Sequence, residues 1–215
     1  MKYFLTGTDT GVGKTYTAAL IAQAWAHVSK SAAYIKPMQT GADSDAVFIK
    51  KFINKPITVK TLYKFRHACS PHLAIRKAKS KKKFTTTDFK MQCKKEIKKY
   101  DNVLLEGAGG VFVPIYQNYR MIDLIKDLEL PVILVARASL GTLNHTLLSY
   151  EALAGRGIRI KLLVINIINK NEKKYIIKDN IDTLHSLTNL PVFVLPHTMD
   201  LKKRRKTATE IIHYL

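Results

Sequence analysis

"GTDTGVGKTY", Gly7 to Tyr16, is the stretch whose reading decides the fold. Its glycines let consecutive backbone N–H groups turn toward an anion, its lysine reaches the outer phosphates of a nucleotide, and the next hydroxyl suits Mg²⁺. Gly11, Gly13, Lys14 and Thr15 fill those roles, with Val12 and Tyr16 completing the loop, while Thr8 stands where the strict pattern would carry glycine. Such a loop has meaning only between a strand and a helix. The short apolar run Lys2 to Thr6 supplies the strand, and the helical spacing of Lys14 to Val28 supplies the helix. The loop leaves one question open: whether water, a protein partner or a small substrate receives the terminal phosphate.

The same alternation continues along the chain. Brief, continuous apolar runs at Ala32 to Lys36, Asn102 to Glu106, Pro131 to Ala136, Ile160 to Asn166 and Pro191 to Leu195 read as strands covered on both faces. Between them, helical spacing predicts helices after a threonine cap around Thr85 to Thr87 (stripe Phe89, Cys93, Ile97, Tyr100), and over Met121 to Leu128, Leu143 to Ala154, Glu172 to Leu187 and Lys203 to Tyr214. Residues 58–83 are the least regular part, with a short helix expected near 71–79. Strand followed by helix, repeated, predicts an α/β fold: a single-domain, doubly wound, mostly parallel sheet with helices on both faces, P-loop NTPase-like, over residues 1–215.

Composition bounds the function. The 215 residues suit one domain, and 47% hydrophobic content is enough for its core. No stretch approaches the ~20 apolar residues of a membrane helix, and the N-terminus turns polar too early for a secretion signal, so a cytoplasmic protein is expected. Cys69 and Cys93 share no metal-binding spacing and read as free thiols. The net charge of +20 is spread along the chain, and its densest runs, Arg76 to Phe84 and Leu201 to Thr207, lack the interleaved aromatics of a single-strand stacking surface. They read as solvated faces, and neither a nucleic-acid nor a membrane partner is expected.

In doubly wound sheets ligands bind outside the carboxyl ends of the strands, so strand-end motifs converge on one site. "YIKPMQTGADSDA" places Lys36 where a strand emerges, with Pro37 holding it extended, and adds Thr40 and Asp45. A second lysine beside a phosphate loop suits a substrate with negative charge at the reacting centre. "NVLLEGAGG" delivers Glu106 at the end of a buried strand, the usual place for a carboxylate near phosphate-bound Mg²⁺, followed by Gly107, Ala108 and Gly109, which allow close backbone approach. Asn166 ends another strand, where its amide would read a base edge, and Pro196 and His197 end the last. "SPH" (Ser70 to His72) and "LGTLNH" (Leu140 to His145) are modest signals alone.

In their order, "GTDTGVGKT", "KPMQTG" with "SDA", "SPH", "LLEGAGG", "LPVILVARASLGTLNH", "IN" and "LP" make the chain resemble the dethiobiotin synthetase family over nearly its whole length. The resemblance implies a small anionic acceptor: CO₂ joined to 7,8-diaminopelargonic acid as a carbamate, which attacks the γ-phosphate of ATP before the ureido ring closes. It implies ATP and Mg²⁺, with Lys14 and Gly11 to Tyr16 on the phosphates and Thr15, Asp45 and Glu106 around the metal. Lys36 matches the family's active-site lysine, Thr40 a substrate-contacting hydroxyl, and Glu106 to Gly109, Asn166 and Pro196 to Thr198 the nucleotide surround. It also implies a homodimer in which Leu140, Gly141 and Asn144 serve the partner's substrate site. The competing likeness is to ParA-like or MinD-like ATPase switches on DNA or membrane, which share the sheet. Those carry a lysine early in the loop, where this chain has Asp9.

Overall fold

The computed structural model describes residues 1–215 apart from 30, 43, 79–82 and 198–199. The chain runs β1 (Lys2–Gly7), α1 (Lys14–Val28), β2 (Ala32–Thr40), α2 (Ser44–Phe52), β3 (Thr58–Phe65), α3 (Pro71–Lys77), α4 (Thr86–Ile97) and β4 (Asn102–Gly110). It continues through β5 (Pro114–Tyr116), β6 (Tyr119–Arg120), α5 (Met121–Leu128), β7 (Val132–Arg137), α6 (Thr142–Ala154), β8 (Ile160–Asn166), α7 (Lys174–Thr188), β9 (Val192–Leu195) and α8 (Leu201–Ile212). Among the described residues seven strands form one sheet in the order β3-β2-β4-β1-β7-β8-β9, every pairing parallel. From central β1 the chain travels to one edge and returns at β4; from β7 onward it travels to the other edge. The phosphate loop therefore leaves the sheet at its middle, at the carboxyl ends where the direction of winding reverses.

Both faces of the sheet are apolar because both are covered. On one, Phe4, Ile35, Leu105 and Leu134 meet Phe89 of α4, Ile122 of α5, Leu153 of α6 and Leu184 of α7. On the other, Leu5, Tyr34, Leu104, Ile133 and Val164 meet Leu20 and Trp25 of α1, Ile49 of α2 and Ile211 of α8. The fold is the single α/β domain expected, and α5 has the predicted bounds. Four elements were not among those predicted: β3, which falls in the stretch read as irregular, α2, and the short antiparallel pair β5 and β6. In β3 apolar residues alternate with Lys60 and Lys64, the pattern of a half-exposed edge strand rather than a buried one. The helix expected over 71–79 is seen to Lys77; its predicted end lies outside the described residues. Among the described residues no helix is long and apolar enough to cross a membrane.

Candidate active site

Gly13 shows why the loop must be glycine. Its φ is 94°, the left-handed region, and a Cβ there would lie 1.9 Å from Nδ2 of Asn166. That amide donates to the Val12 carbonyl at 3.0 Å and braces the loop from the end of β8. Asn166 is thus placed beneath the loop, with one N–H of its amide on backbone. Val12 is buried in the core under the loop. Lys14, at the start of α1, folds back so that Nζ donates to the Asp9 carbonyl at 2.7 Å.

β2 and β4 deliver the charged centre. Their ladder ends with Ile35 opposite Leu105, and the next residue on each strand is Lys36 and Glu106. Lys36 is 4% exposed and Glu106 is 1% exposed. Lys36 Nζ donates to Glu106 Oε1 at 2.7 Å and to the Gly107 carbonyl at 3.1 Å, and pairs with Asp45 Oδ2 at 2.7 Å. Thr15 Oγ1 donates to the same Glu106 oxygen at 2.9 Å. Asp45 stands in the first turn of α2, where the helix dipole favours an acid.

Burial pushes the Lys14 ammonium down to about 8; Glu106 and Asp45 pull against this, and Lys36 adds to it. For Lys36 burial also acts downward, but Glu106 and Asp45 together outweigh it, so the net direction is up. Lys36 is therefore a fixed cation, and Lys14 is a cation held in a setting that calls for further negative charge.

Both lysines line one cavity of about 630 Å³, a size that suits a small-molecule site. Of the residues singled out from the sequence, Gly11, Gly13, Thr15, Tyr16, Thr40, Asp45, Glu106, Ala108 and Gly109 line it with them. Gly107 contributes its carbonyl to Lys36. Met38 and Gln39, which stand inside "KPMQTG" but were given no role, line it as well, as do Cys69 and Val113; Ser70 and Pro71, from the modest "SPH", line it too. Leu140, Gly141 and Asn144 are exposed at the start of α6 and are not among the residues lining this cavity of their own chain. Pro196 and His197 are exposed beyond β9 and do not line it either, and Thr198 lies outside the described residues.

The donor set of Thr15, Asp45 and Glu106 is all oxygen, with two carboxylates held on one ammonium, and this suits a hard divalent cation. Comparison with known proteins agrees with the geometry. The family model described as "AAA domain" matches residues 1–205. The ATP-dependent dethiobiotin synthetase BioD of Endomicrobium trichonymphae is 38% identical, over 93% of this chain and 95% of that protein. The chain belongs to the dethiobiotin synthetase family. The enzymes of that name from Methanocaldococcus jannaschii (34% identical, 88% of this chain and 90% of that one) and Thermodesulfovibrio yellowstonii (33%, 99% and 95%) are similar over comparable lengths. A ParA family ATPase from Chlorobium tepidum superposes with a TM-score of 0.59 over 99% of this chain and 90% of that one, at 11% identity. That likeness concerns the fold alone.

Proposed function

We propose that the protein is an ATP-dependent dethiobiotin synthetase. One amine of 7,8-diaminopelargonic acid takes up CO₂ as a carbamate, releasing a proton. A carbamate oxygen then attacks the γ-phosphate of ATP and ADP departs. The second amine attacks the resulting carbamic-phosphoric anhydride at carbon, expelling phosphate and closing the ureido ring.

The observation that carries this reading is the convergence of Lys14 and Lys36 on one cavity. A carbamate and a triphosphate repel each other, and cations fixed between them offset that repulsion most where charge moves in the transition state. Lys14 and the backbone of Gly11 to Tyr16 hold the phosphates, and Lys36 steadies the carbamate and the transferring phosphoryl group. Thr40 offers a hydroxyl to the substrate. The nucleophile is already an anion, so phosphoryl transfer needs no general base. Thr15, Asp45 and Glu106 would hold Mg²⁺, which neutralises charge on the phosphate oxygens when bound.

The homodimer, with Leu140, Gly141 and Asn144 of one chain completing the partner's substrate site, belongs to the same proposal, as does action in the cytoplasm. The deciding experiment mixes the protein with ATP, Mg²⁺, bicarbonate and the diamine and looks for dethiobiotin by mass spectrometry. Its absence, with protein that binds nucleotide, would overturn the assignment.

A further inference from the structure

Glu106 has two carboxylate oxygens, and the structure gives them different duties. Oε1 accepts from Lys36 and Thr15, both of which line the cavity. Oε2 accepts from the phenol O–H of Tyr34 at 2.9 Å. Tyr34 is fully buried, lies two residues before Lys36 on β2, and so projects to the same face of the strand. We propose that Tyr34 is a positioning residue that commits Glu106 to the phosphate site through one oxygen and thereby makes that site favour Mg²⁺ over Ca²⁺. The inference rests on the reading of Thr15, Asp45 and Glu106 as the metal site.

The physical reason lies in what each cation tolerates. Mg²⁺ demands a near-ideal octahedron built from single oxygens and water, whereas Ca²⁺ takes more ligands and accepts a carboxylate through both oxygens. A carboxylate pinned through one oxygen to a core hydroxyl cannot turn both oxygens toward a cation, so its orientation limits it to single-oxygen binding. Solvent does not replace that hydroxyl, because Glu106 is 1% exposed and Tyr34 is covered completely. Without the phenol O–H, Oε2 is left unpaired, and the carboxylate gains by swinging both oxygens toward a cation. Partners one step behind a metal ligand act in this way elsewhere, and their loss typically lowers metal affinity 10–100-fold.

The test is calorimetric binding of ADP to the full chain in Mg²⁺, in Ca²⁺ and in EDTA, for wild type and Tyr34→Phe. Affinity in EDTA should be little changed by the substitution. The gain in affinity from Mg²⁺ should fall about tenfold, and the gain from Ca²⁺ should fall less or rise. An unchanged ratio of the two gains overturns the role of Tyr34, whatever happens to overall affinity. If wild type binds ADP equally with and without Mg²⁺, the metal assignment fails and this inference with it. Should Tyr34→Phe not fold, infrared difference spectra of wild type on Mg²⁺ addition decide instead. The carboxylate band lost in Glu106→Gln should show the wide splitting of single-oxygen binding, and the narrow splitting of chelation overturns the proposal. None of these readouts requires the diamine, so failure to form dethiobiotin would leave them standing.

Discussion

Lys14 and Lys36 are both buried cations, yet their surroundings assign them opposite sensitivities. Lys36 has two carboxylates on it and keeps its charge, whereas burial holds Lys14 down to about 8. A bound triphosphate adds negative charge and raises the Lys14 pKa, so nucleotide binding takes up a proton when the free lysine is neutral. Affinity for ADP should therefore be steady up to pH 7 and weaken above pH 8, by at most about tenfold per unit. Calorimetry in buffers of different ionisation enthalpy would show the proton uptake, and flat affinity from pH 7 to 9 would contradict it. The two lysines should also separate by mutation. Lys36→Ala should retain nucleotide binding and lose product formation by a factor of ~100 or more, while Lys14→Ala should weaken both. Normal turnover by Lys36→Ala would remove its assigned role. At this scale the sequence disclosed the charged residues, because their types and strand-end positions carry the chemistry. It did not disclose Tyr34 or the bracing amide of Asn166. Those depend on which strands lie side by side, and the order β2-β4-β1 is not written in any local stretch.

Among the elements, the buried parallel strands were legible as continuous apolar runs, and their helices as stripes. β3 was not, because an edge strand that interleaves Lys60 and Lys64 with apolar residues shows neither signature. Its inner face nevertheless anchors a ring cluster: Tyr63 lies 5.3 Å from Phe89 and 5.5 Å from Phe84, centroid to centroid. Phe89 is fully buried at the start of α4, and Thr85 caps the same helix by accepting from Asp88 N at 3.1 Å. The magnitudes differ by mechanism. Phe89→Ala opens a cavity between β3 and α4 and should cost about 3–5 kcal/mol, whereas Thr85→Ala removes one cap and should cost about 1 kcal/mol. Urea denaturation would measure both, and comparable losses would mean that the cluster does not hold β3 to the sheet. The cavity that contains Lys14 and Lys36 draws no residue from this cluster, so activity per folded molecule should be retained in both variants.

For the whole molecule, the sheet alone does not separate a synthetase from a switch, since a ParA family ATPase shares the fold. The chain has Asp9 where such switches resemble one another in carrying a lysine, and its +20 charge lies in dispersed lysines. ATP turnover should rise with diamine and bicarbonate and remain unaffected by duplex DNA or anionic vesicles; the reverse pattern would favour the switch. Assembly provides a stricter test. Leu140, just before α6, is 87% exposed and Leu148, within the helix, is 58% exposed, and Gly141 and Asn144 are exposed beside Leu140. If these residues complete a partner's substrate site, Lys36→Ala and Asn144→Ala disable different halves of one composite site. Two inactive homodimers, unfolded and refolded together in equal amounts, would then form heterodimers in which one of the two sites has both residues intact. Random pairing makes half the dimers mixed, so recovered activity should approach about a quarter of wild type. A monomer, or a dimer whose sites lie within single chains, recovers nothing on mixing, because every site then keeps the defect of its own chain.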